Sequence, residues 1–131
     1  RVLRPGGRLI VSVPAYQFLY ANNDRVAHHC RRYTRSRLRS VIESQGFVPD
    51  RVTYFNTLLL PIILPLVLLG KLKERLVGID PSHTNLSVSP PAIVNKLLAM
   101  VMSSEGALLV RTSMPVGHSI VGIWTKPDSN H

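Results

Sequence analysis

The sequence predicts an α/β fold, and three observations carry that expectation. Two short β-branched apolar runs, residues 8–13 (Arg-Leu-Ile-Val-Ser-Val) and 51–55 (Arg-Val-Thr-Tyr-Phe), flank a segment of helical periodicity. A third run, residues 119–125, carries Ile120, Val121, Ile123 and Trp124 near the end of the chain. Between the second and third runs, residues 56–114 form an apolar stretch whose spacing is helical rather than alternating. At 131 residues and 45% hydrophobic, the chain has the size and composition of one packed unit rather than a disordered segment.

Each element has a local cause. Arg1-Val2-Leu3-Arg4 reads as the last turn of a helix whose beginning is missing, so the N-terminus is expected to be a truncation. Pro5-Gly6-Gly7 is a turn, because proline presets φ and glycine supplies positive φ. Residues 8–13 then form a strand expected to be buried on both faces, ending at Pro14. Residues 15–32 are polar and irregular, with Asn22, Asn23 and Asp24 marking a turn. Thr34 caps a helix over 35–45, with Leu38, Val41 and Ile42 as its apolar stripe. Gly46 stops that helix in the left-handed region and Phe47 packs back.

After the strand at 51–55 comes an apolar run over 58–69, which Pro61 and Pro65 are expected to break. Lys71, Lys73 and Arg75 follow, then a proline-rich break from Pro81 to Pro91. A second helix is expected over 91–110, with Ile93, Val94, Leu97, Leu98, Val101 and Met102 at helical spacing. Pro115-Val116-Gly117 turns into the last strand, and beyond Lys126-Pro127 the chain should fray. The organisation is one partial domain: strand–helix–strand over 1–55, a helical insertion over 56–114 and a final strand over 115–126. There is no internal repeat.

The net charge is +9 and it is uneven: residues 1–51 hold ten basic residues against three acidic ones. Such a surface attracts phosphate, nucleic acid or anionic lipid, or it is a solvated helix face whose acidic partners lie elsewhere. One cysteine, Cys30, excludes an intrachain disulfide and suits a reducing, cytoplasmic compartment. No signal peptide is visible. His28, His29 and Cys30 do not make a zinc site, since consecutive side chains diverge and no second cluster has ligand spacing. No Gly-x-Ser-x-Gly elbow supports hydrolase chemistry.

The order of elements and the strings Leu3-Arg4-Pro5-Gly6-Gly7, His29-Cys30-Arg31-Arg32-Tyr33-Thr34 and Gly46-Phe47 resemble the C-terminal half of class I, Rossmann-like S-adenosylmethionine-dependent methyltransferases. A bacterial subgroup of that family carries an Asp followed by His-x-Arg-Arg-Tyr-Thr, which Asp24 and residues 29–34 match. The resemblance covers residues 1–56 well and the last strand loosely. It implies that residues 8–13 are the family's fifth strand and that the last strand lies between the fifth and sixth, antiparallel to both, in a three-strand mixed sheet remnant. It implies S-adenosylmethionine as methyl donor. The glycine-rich loop and acidic residue that would hold this cofactor are expected upstream of Arg1. Gly6-Gly7 does not replace them, because it precedes a strand instead of opening a helix. The 131 residues alone are therefore expected to be inactive.

Ligands of open α/β sheets sit beyond the carboxyl ends of the strands, so residues 14–33 are expected to border the acceptor pocket. His29 is the candidate base, because imidazole titrates near neutral pH, and the alternative is that it orders the loop. Tyr16, Asp24, Arg32 and Tyr33 are candidate acceptor contacts. Asp24 either orients His29 or marks a turn. Arg32 either clamps an anion or is structural, and Tyr33 packs in the cleft or anchors the helix start. No metal is implied. The run over 58–69 is too short to span a bilayer. With the cations after it, it fits either a membrane interface, peripheral at the inner face, or a lid or core helix over the pocket. Both favour a lipid-like, isoprenoid or aromatic acceptor. The rival reading is a basic module that binds membrane or, less well, nucleic acid without chemistry of its own.

Overall fold

The computed structural model describes residues 2–78 and 90–128. Three strands, β1 (Arg8–Pro14), β2 (Val48–Phe55) and β3 (Ser119–Thr125), form a sheet of order β1-β3-β2. The helices are α1 (Asn22–Val26), α2 (Arg35–Glu43), α3 (Leu60–Val77) and α4 (Ala92–Arg111), with a 3-10 turn at Gln17–Leu19. The molecule is thus mixed α/β, with the last strand in the middle of its sheet.

Both pairings of β3 are antiparallel, from Arg8↔Thr125 to Pro14↔Ser119 on one side and from Val48↔Thr125 to Phe55↔Ser119 on the other. The sheet is therefore antiparallel and not mixed: β1 and β2 run the same way but never meet. A bulge between Pro49 and Arg51 shifts the β2 register, and the Thr125 hydroxyl donates to Asp50 Oδ2 (2.6 Å) beside it. The turn before β1 is fastened to the end of β3. Gly6 N–H donates to Lys126 O (2.8 Å) and Lys126 N–H to Gly7 O (2.9 Å).

β3 alternates cleanly, burying Ile120, Gly122 and Trp124 on one face. Ile120 and Trp124 are fully buried and join Leu38 and Ile42 of α2, Tyr54 of β2 and Ala15 in one core. Gly122 is required there, because a Cβ at that position would overlap the indole of Trp124 folded over it. The Thr34 hydroxyl caps α2 by accepting from Arg37 N–H (3.3 Å), as its sequence position predicts. Gly46 ends the helical segment at φ 82°.

Three local expectations are corrected. β1 is not buried on both faces: its exposure alternates, Ile10 is 68% exposed, and among the described residues β1 pairs with β3 alone. Asn22, Asn23 and Asp24 begin a helical turn, because the Asp24 carboxylate accepts from Ala21 N–H (2.9 Å) and closes a first turn. The prolines do not break the run after residue 58, and α3 is continuous for 18 residues. Pro61 lies in the first turn, where no N–H is needed, and Pro65 removes a single ladder bond. Most of the proline-rich stretch before α4 lies outside the described residues.

Replacing Trp124 by alanine removes the largest core side chain. The expected loss is about 3–5 kcal/mol of unfolding free energy, read from urea denaturation followed by circular dichroism.

Candidate functional site

Residues 17–32 form a closed loop whose ends are pinched together at the carboxyl end of β1. Tyr33 N–H donates to Pro14 O (3.0 Å) and Tyr16 N–H to Tyr33 O (2.9 Å), a parallel bridge of Ala15 with Tyr33. The Gln17 side chain accepts from Arg32 N–H (2.9 Å) just inside the pinch. A loop of this length with adjoining ends and its own packed interior is an Ω-loop. Tyr16 sits at the pinch with φ 59°, a conformation costly for a tyrosine, and stacks on Tyr54 at 5.3 Å between centroids.

The loop's interior is a buried ion pair. Arg32 Nε donates to Asp24 Oδ1 (3.0 Å) and Arg32 Nη2 to Asp24 Oδ2 (3.0 Å), a two-pronged contact with side chains 6% and 3% exposed. Arg32 Nη1 donates to Ala15 O (3.1 Å) and to His118 Nε2 (3.2 Å). A guanidinium has no acceptor. The His118 ring must therefore accept at Nε2, which makes it neutral with its proton on Nδ1, 3.5 Å from the Ser119 hydroxyl. Burial and the adjacent Arg32 charge lower the His118 pKa, in keeping with that state. For Asp24, burial acts to raise the pKa. Hydrogen bonds from Arg32 and Ala21 N–H, with the Arg32 charge, outweigh it and hold the carboxyl below its ordinary value.

His29 stands at the rim of this network. Its Nδ1 lies 3.4 Å from Asp24 Oδ1, and its side chain is 48% exposed. Its N–H donates to Asp24 O (2.8 Å) and its carbonyl accepts from the Tyr20 hydroxyl (3.0 Å), so the backbone is held on both sides. A carboxylate behind one ring nitrogen leaves Nε2 available to a ligand, the arrangement of an oriented general base.

These residues face a cleft of about 830 Å³, within the range of small-molecule sites. One wall is polar: Asn22, Asn23, Asp24, His29 and Arg32 from the loop, His118 and Ser119 from the start of β3. The other is the inner face of α3, with Ile63, Leu66, Val67 and Gly70 and, further along, Lys71, Lys73, Glu74 and Val77. Ser12, Val13 and Pro14 close the end. Lys71 Nζ donates to Phe18 O (2.8 Å), tying α3 to the loop. At its start α3 is tied to α4, where the buried Glu105 carboxylate accepts from Thr57 N–H (2.9 Å) and Leu58 N–H (3.2 Å).

Of the residues singled out from sequence, His29, Asp24 and Arg32 come together at the cleft. Asp24 and Arg32 are engaged with each other, so they frame the cleft rather than reach into it. Tyr16 and Tyr33 lie outside the lining and pack against the core cluster. His118 was missed, whereas the run over 58–69 lines the cleft as the lid reading expects. His118 is 86 residues from Arg32 and carries no local signal, whereas Glu105, a lone acid in an apolar helix, was a readable sign of a buried cap. Comparison of the chain with protein-family models, with curated proteins and with solved structures finds no match.

Asp24 and His118 both have lowered pKa values in the fold, so each adds stability at high pH that is lost on acidification. Unfolding free energy should fall first as pH drops below about 6.5, where unfolded histidine protonates, and again below about 3.9 for Asp24. His118→Gln should flatten the first decline. Asp24→Asn leaves the Arg32 charge buried without its partner and should cost about 3–5 kcal/mol at pH 7, measured by urea titration across pH.

Proposed function

We propose that this chain is the C-terminal part of a class I S-adenosylmethionine-dependent methyltransferase and that its cleft takes the methyl acceptor. The observation that carries the reading is the strand order β1-β3-β2 with β3 antiparallel to both neighbours. That is the order which the resemblance of residues 1–56 implies for the fifth, seventh and sixth strands. The edge of β1 away from β3, which pairs with no strand among the described residues, supports the reading, because a further strand of a Rossmann-like sheet would pair there.

The described residues do not themselves fit the cofactor. Gly6 and Gly7 close a turn onto Lys126 and open no helix, so they are no cradle for a nucleoside. In this reading the cofactor site is upstream of Arg1, and the bound cofactor supplies an electrophilic methyl group. The chain's own residues bind and align the acceptor. The apolar face of α3 holds its hydrocarbon part, which favours a lipid-like, isoprenoid or aromatic compound. His29, with Asp24 behind Nδ1, takes the acceptor's hydroxyl proton at Nε2. His118 donates from Nδ1 or orders the polar wall through Arg32.

Two outcomes are expected. The 131-residue chain titrated with S-adenosylmethionine should show no binding by calorimetry, while the full-length protein binds it; a micromolar dissociation constant for the short chain would sink the placement of the cofactor site. In the full-length protein, His29→Ala should lower turnover roughly 10²-fold or more, with cofactor affinity unchanged. Turnover is read as transfer of labelled methyl into lipid-extractable acceptors, and an intact rate would remove His29 from catalysis.

A further inference from the structure

The two longest elements, α3 and α4, are also the least covered. α3 buries no residue, and α4 buries only Glu105. Helices that are apolar around most of their circumference belong in a core or against lipid. On α3, Ile62, Leu69, Leu72 and Leu76 recur at steps of seven, three and four and form one outer stripe. They are 56%, 63%, 52% and 76% exposed, while Ile63, Val67 and Gly70 on the opposite face line the cleft. On α4, Ile93, Leu97 and Met100 make a second exposed stripe, and this helix is long and apolar enough to cross a membrane by length and composition.

Charge identifies what covers them. Arg75 lies on α3 between Leu72 and Leu76 of the stripe, Lys96 lies beside Leu97 near the start of α4, and Arg111 ends α4. A second copy would set +9 against +9 across the contact, whereas anionic headgroups are complementary to it. Crossing the bilayer does not fit α3. Its uncharged run ends at Gly70, before Lys71, Lys73, Glu74 and Arg75, and about 11 residues at 1.5 Å each fall short of the roughly 30 Å hydrocarbon thickness. Lys71 and Glu105 moreover hold the helices to the rest of the fold. We propose that the outer faces of α3 and α4 dock in the interface of an anionic lipid bilayer. The cleft then sits one helix diameter, about 10 Å, from the headgroups, within reach of an amphiphile drawn from the membrane. The docking does not rest on the methyl-transfer reading.

The test is cosedimentation of the full-length protein with vesicles of phosphatidylcholine alone and of a roughly three-to-one mixture with phosphatidylserine. Binding to the mixed vesicles should be at least about tenfold stronger and should weaken with salt. Leu69→Asp/Leu72→Asp should lower it about tenfold or more, with helix content kept by circular dichroism. Arg75→Glu/Lys96→Glu should lower it with the apolar stripe intact. Val48→Asp, 54% exposed on β2, should bind as the parent does. Equal binding by the stripe variant, equal binding to both vesicle types, or no binding to either overturns the proposal. So does a dimer in sedimentation velocity that ignores vesicles and that Leu69→Asp/Leu72→Asp makes monomeric. Docking retained without methyl transfer would count against the cleft's proposed chemistry and leave the docking surface standing.

Discussion

The buried contact between Asp24 and Arg32 holds the cleft together. Moving two charges out of water costs several kcal/mol each, and only saturation of their hydrogen bonds offsets it. Here the saturation comes from four parts of the chain: Ala21 N–H, Ala15 O, the rim histidine His29 and, from just before β3, His118. The pair therefore joins the loop to the end of β1 and to the start of β3 at once. It also fixes the tautomer of His118, a chemical detail of the cleft determined by the acceptor-free character of a guanidinium.

A similar economy of polar groups governs the other wall. Glu105 looks misplaced in an apolar helix, yet its two oxygens receive the N–H groups at 57 and 58 as the chain enters α3. Its negative charge also suits the positive end of the α3 dipole. The start of α3 is thereby set by α4 and its far part by Lys71 on Phe18 O, so a helix with little burial still presents a defined face to the cleft.

Local rules in the sequence were enough for the strands, for α2 with its Thr34 cap and Gly46 stop, and for α4. They failed where a local signal was over-read and where a distant neighbour decides. Pro65 reads as a breaker, but one lost bond in 18 residues is tolerable. Residues 22–24 read as a turn, because the carboxylate that starts α1 does so through its own backbone contact. β1 reads as doubly buried from its β-branched run, yet its exposure alternates and Ile10 is 68% exposed. Of the site, the Asp24–His29–Arg32 group was legible as a motif, but its internal pairing was not. Tyr16 and Tyr33 have the composition of ligand contacts and the positions of packing residues. His118 was invisible, since only the closing of the sheet brings it to Arg32.

The central place of β3 shapes how the chain can fold. Every β1–β3 pair joins residues more than 100 positions apart, from Pro14↔Ser119 to Arg8↔Thr125, and no two strands earlier in the chain pair with each other. During synthesis β1 and β2 must emerge, and the whole helical insertion after them, before either can pair with β3. Contacts of such long range slow folding, and strands left waiting are exposed to wrong partners. A stop codon anywhere before residue 119 would leave β1 and β2 with nothing between them, so the seven-residue β3 acts as the wedge that joins them into one sheet.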